Sequence, residues 1–233
     1  MLATRDLFVD CIAASGSHTA VVFLVDLIEQ RKLEGFPAVW TLMSSGHSVQ
    51  YPTIPVKGVI LSEAARNSKM LKHTALMATA DLLYTTCVLS SVNCNADSQI
   101  ITEEFLPLLV RELETAQSAI DRLAAIIALG ALGVDDVLLL LVPYLRGENV
   151  AIRIAAISSL KHLMDSSPDK VIPLLSSLAD NVAEPPEIRM AAIAMLLFHQ
   201  KTPQSIWNKV ASRTWFDSSL QVKAFTCDII RSL

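Results

Sequence analysis

Four cysteines and five histidines are the residues best equipped for chemistry in this chain of 233 amino acids. Cys87 and Cys94 are the pair with a usable spacing: Cys87 ends an apolar run and Cys94 follows in a polar stretch, within bridging reach. A disulfide between them would close a short loop and stabilise the fold by about 2–3 kcal/mol through lost unfolded-state entropy. It would also imply an oxidising compartment. Two unpaired thiols in a reducing compartment fit the same spacing, and position alone leaves both readings open. Cys11 and Cys227 fall inside helical patterns, where a cysteine is most simply a small buried hydrophobe.

The histidines, His18, His47, His73, His162 and His199, are each isolated in sequence. Without an HExxH, a paired CxxC or a His–Cys cluster, the sequence predicts no metal site. Cys87, Cys94 and His73 could meet in space, but no pattern requires it. A GxSxG elbow, a Walker loop, a GxGxxG turn and an N-glycosylation sequon are all missing. The expectation is therefore a chain that is no enzyme and takes no cofactor.

The elements that would position these residues are unusually apolar. Hydrophobic residues make up 52% of the sequence and charged residues 18%, and the mean hydropathy is +0.44. The uncharged stretch from Leu123 to Val134 is too short to span a bilayer, which takes roughly 20 apolar residues. No transmembrane segment is expected, and the first residues, MLATRDLFVD, do not read as a signal peptide. Nineteen basic and 23 acidic residues, net charge −4, are spread along the chain without a basic cluster. Nucleic acid and anionic membrane surfaces are therefore poor partner candidates.

Hydrophobic residues recur with the 3.6-residue period almost throughout. Helices are predicted near 4–14, 18–31, 35–45, 54–66, 69–88, 100–114, 117–132, 136–146, 150–164, 168–181, 186–200, 203–213 and 218–232. Ser17, Ser68, Asp136 and Ser218 stand where an N-cap oxygen would satisfy orphan N–H groups. Pro168 and Pro203 lie near helix starts, and Gly46, Gly133 and Gly147 follow apolar runs as glycines at helix ends do. No segment alternates with period two, so the fold is expected to be all-α.

A repeat organises these helices. Arg122-Leu-Ala-Ala-Ile126 returns as Arg153-Ile-Ala-Ala-Ile157 and as Arg189-Met-Ala-Ala-Ile193, at spacings of 31 and 36 residues. Gln221-Val-Lys-Ala-Phe225 is a weaker echo, and Lys72-His-Thr-Ala-Leu76 an earlier one. A two-helix period of this length is the mark of α-solenoids. The paired alanines, Ala124 and Ala125, Ala155 and Ala156, Ala191 and Ala192, would let helix backbones approach closely. The arginines Arg122, Arg153 and Arg189 are read as packing and solvation devices, with stems on apolar surface and heads in water. The expected architecture is a curved two-layer α-solenoid of antiparallel helix pairs, HEAT-like, in a single domain over 1–233. On the repeat alone the chain could be a cytosolic HEAT-like adaptor that binds proteins.

Several blocks taken in order resemble the helical domain of the large lipid transfer proteins, the family of vitellogenin and apolipophorin. They are Arg5-Asp-Leu-Phe-Val-Asp-Cys-Ile12, Gly16-Ser-His-Thr-Ala20, Ser48-Val-Gln-Tyr-Pro-Thr53 and His73 to Tyr84 with Cys87 and Cys94 after it. Ile206-Trp-Asn-Lys-Val210, Thr214-Trp-Phe-Asp217 and Gln221 to Thr226 complete the set. The resemblance implies a domain excised from a larger secreted lipoprotein for lipid transport or yolk storage. It implies a disulfide between Cys87 and Cys94, and lipid held by β-sheet domains of the parent, not by this chain. It leaves room for protein partners or a receptor.

Overall fold

The computed structural model describes residues 2–48, 69–85 and 101–232. Every regular element among them is helical, and none of these helices is long and apolar enough to cross a membrane. The chain divides into two compact units, Met1–Leu132 and Gly133–Leu233.

The first unit contains α1 (Leu2–Ala14), α2 (His18–Glu29), α3 (Gly35–Ser48), α4 (Lys69–Tyr84), α5 (Leu106–Glu114) and α6 (Ala119–Leu132). Helices α3, α4 and α6 lie side by side, with α1 against α3, α2 on α1 and α3, and α5 on α6. Because α4 has neighbours on both flanks, it is apolar nearly all round: Leu71, Ala75, Leu76, Ala78, Ala80, Leu82 and Leu83 are buried. Its buried Thr79 satisfies its hydroxyl by donating to the Ala75 carbonyl at 2.7 Å. A wide π-type turn, Ile101–Phe105, leads into α5 and sinks Phe105 completely. The α6 start is a reciprocal cap: the Ser118 N–H donates to the Asp121 carboxylate at 3.2 Å, and the Asp121 N–H to Ser118 Oγ at 3.1 Å.

The second unit contains α7 (Asp136–Leu141), α8 (Val150–Ser158), α9 (Lys161–Ser166), α10 (Pro168–Asp180), α11 (Pro186–Phe198), α12 (Gln204–Trp215) and α13 (Leu220–Ser232). Helices α8, α11 and α13 form one row; α10 packs on α11 and α12, and α12 on α11 and α13. The row is made of the helices that carry the Arg-x-Ala-Ala-Ile motif or its echo. Two layers therefore exist within this unit, one per helix type in the repeat.

Several local expectations need correction. The helix expected over 150–164 is two helices, because the Leu160 N–H turns to Ile157 three residues back after the Ser158–Ser159 pair. The stretch 136–146 tightens into a 3₁₀ turn at Val142–Arg146, where Pro143 has no N–H to continue the α ladder. Gly46 lies inside α3 and does not end it, whereas Gly133 takes the left-handed φ of 62° that stops α6. Ser17 caps α2 as expected, accepting from the Ala20 N–H. Asp136 and Ser218 do not cap: Asp136 is already in the first turn of α7, and Ser219 accepts the Val222 N–H of α13. Ser68 and the helix expected over 54–66 lie outside the described residues.

In the motif, Ala124, Ala125, Ala156 and Ala192 are buried, while Ala155 and Ala191 are half-buried. Ala192 has no accessible surface at all. Ala192→Leu should therefore overpack the α8–α11–α13 row and cost about 1–3 kcal/mol. Urea titration is the check, with Ala151→Leu at an exposed position of α8 as a control expected to stay near wild type.

Candidate functional site

The repeat arginines do not keep their heads in water. Arg153 and Arg189 are 7% and 4% exposed. Each guanidinium has two kinds of partner, and the pattern is the same in both copies. Arg153 Nε donates to the Leu145 carbonyl at 2.8 Å, and Arg153 Nη2 to Glu184 Oε2 at 2.5 Å. Arg189 Nε donates to the Ala179 carbonyl at 3.1 Å, and its two terminal nitrogens bind both oxygens of Asp217. Thus each arginine reaches back to a carbonyl at the end of the preceding helical segment and forward to a carboxylate in the loop before the next row helix.

The first contact places a cation where a helix end leaves carbonyls unsatisfied and partly negative. The second neutralises the buried charge, and in Arg189 it does so with a two-pronged geometry only guanidinium offers. Arg122 is a looser copy: it is half-buried, and its Nη2 lies 3.4 Å from the Ala116 carbonyl. Gln221, in the echo, is exposed and carries no guanidinium.

Asp217 does two jobs. Besides holding Arg189 it accepts the Ser219 N–H at 2.8 Å, fixing the entry into α13. The Arg189 hydrogen bonds hold its carboxyl below the ordinary carboxylate range, against the opposing effect of burial. Neither Glu184 nor Asp217 was singled out from the sequence. A signal was present: an acidic residue precedes the motif by five positions in one copy and the echo by four in the next. A second hub lies at Asp135, which accepts from Ser167 Oγ at 2.5 Å, Ser166 Oγ at 3.3 Å and Lys170 Nζ at 2.9 Å. These donors, Ser167 first, likewise lower its pKa.

Against the Arg189–Asp217 pair lies an open hollow of about 520 Å³, bounded by the ends of α10 and α12 and by α11. Two of its lining residues, Val182 and Phe216, are 70% and 85% exposed, and Trp215 and Leu220 beside it are 75% and 80% exposed. The aromatic pair at the end of α12 therefore faces outward and does not fill an inter-helix groove. In the first unit Phe36 and Trp40 stack at 6.4 Å between ring centroids on an exposed face of α3.

Among the described residues the sulfur and imidazole side chains lie apart from one another or pair singly with carboxylates. Cys87 and Cys94 lie outside the described residues. Cys11 is exposed, on the opposite side of α1 from buried Val9 and Ala13, and Cys227 is half-buried, so neither is the buried hydrophobe expected. His73 Nε2 sits 3.0 Å from Asp121, joining α4 to the cap of α6, and His199 Nε2 3.1 Å from Asp165. Among the described residues no group of three potential ligands could hold a metal ion.

With this geometry in place, comparison with known proteins decides the family. The model of the "Vitellogenin TPR domain" family matches residues 2–231. The chain belongs to that family. Vitellogenin-A1 of Aedes aegypti is 26% identical over 92% of this chain, vitellogenin of Bombyx mori 26% over 94%, and vitellogenin-1 of Caenorhabditis elegans 21% over 97%. The chain spans only 11%, 13% and 14% of the lengths of these relatives. The solved structure "Lipid-protein interactions in lipovitellin" superposes with a TM-score of 0.73 over 94% of this chain and 23% of its own, at 21% identity. That likeness carries the fold: an all-α vitellogenin-type helical domain. Family membership, and not the want of a visible active site, sets the chain apart from enzymes.

Two outcomes follow for the arginine pairs. Arg189→Met, which strands Asp217, should cost about 3–5 kcal/mol, and Arg189→Met with Asp217→Leu should recover a large part of it; a double-mutant cycle by urea denaturation measures both. Because Asp217 titrates lower folded than unfolded, its contribution is present above the unfolded carboxyl pKa of about 3.9 and fades as pH falls through the folded value. Melting temperature should therefore drop on acidification below about pH 4, and Asp217→Asn should flatten that part of the profile.

Proposed function

We propose that this chain is a non-catalytic scaffold within a secreted vitellogenin-type lipoprotein that transports or stores lipid, and that it offers a surface to protein partners. The match of the vitellogenin family model across residues 2–231 is the observation that carries this reading. The small share of the relatives' length that the chain spans supports a scaffold beside other domains, because the rest of such a protein has room for the lipid-holding parts. Two successive repeats of the second unit locked by the buried Arg153–Glu184 and Arg189–Asp217 pairs suit a part whose task is to keep a shape.

We also read 1–233 as a single helical domain of stacked antiparallel pairs. Its support is that the family match is continuous and that the repeat motif occurs in both compact units, at Arg122 in the first and at Arg153 and Arg189 in the second. In this reading lipid meets the chain only through the parent's other domains, and Cys87 and Cys94 form a disulfide, as in the family it resembles.

An antibody raised against the chain tests the whole reading. It should detect a much larger protein in extracellular fluid that floats with lipid in a density gradient. Non-reducing peptide mapping of that protein should find Cys87 linked to Cys94. A lipid-free cytosolic protein with both thiols free would instead establish the adaptor reading that the repeat alone allows.

A further inference from the structure

No further inference is drawn: the strongest candidate, the exposed stripe of Phe36, Trp40 and Met43 along the outward face of α3, carries none, because nothing in the structure shows what covers it.

Discussion

A guanidinium taken out of water must find all its partners in the protein, and this requirement fixes the second unit. Arg153 and Arg189 can be buried only if a helix-end carbonyl and a carboxylate stand at the right distance on two sides. The carbonyl comes from the segment before the row helix and the carboxylate from the loop before the next row helix. Three successive pieces of the repeat are thereby held to one register. Apolar packing alone would not do this, because alanine and leucine faces tolerate sliding that a forked ion pair does not. The pair need not add net stability, since desolvation offsets much of the attraction. What it penalises is every arrangement in which one partner is missing.

Carboxylates also tie the loops of this unit to the helices around them. Asp217 both holds Arg189 and starts α13, and Asp135 ties the start of α7 to the junction of α9 and α10. Loops fixed from within leave large side chains free to point outward. Val182, Trp215, Phe216 and Leu220 do so on the edge where the hollow opens.

Composition and period determined a good deal by themselves. The 3.6-residue recurrence announced helices in nearly every place where the described residues have them, and the Arg-x-Ala-Ala-Ile of α8 and α11, with its echo in α13, marked which helices of the second unit share a row. The ordered blocks from Arg5 to Thr226 pointed to the family that the comparisons then showed. These are properties of nearest neighbours along the chain, where hydrophobic face and backbone period act on the same few residues.

Only tertiary structure decided the environment of each polar group. Arg153 and Arg189 read as edge residues because a long charged side chain usually reaches water; their carboxylates lie 31 and 28 residues away, outside any local pattern. Cys11 read as buried because it sits in an apolar run, yet the contact of α1 with α2 and α3 uses the opposite face, through Val9 and Ala13. Helix ends moved for a similar reason: whether Ser218 or Ser219 caps α13 depends on where Asp217 is pinned by Arg189. Sequence fixes which surfaces can be buried, and the partner that buries them is chosen by the fold.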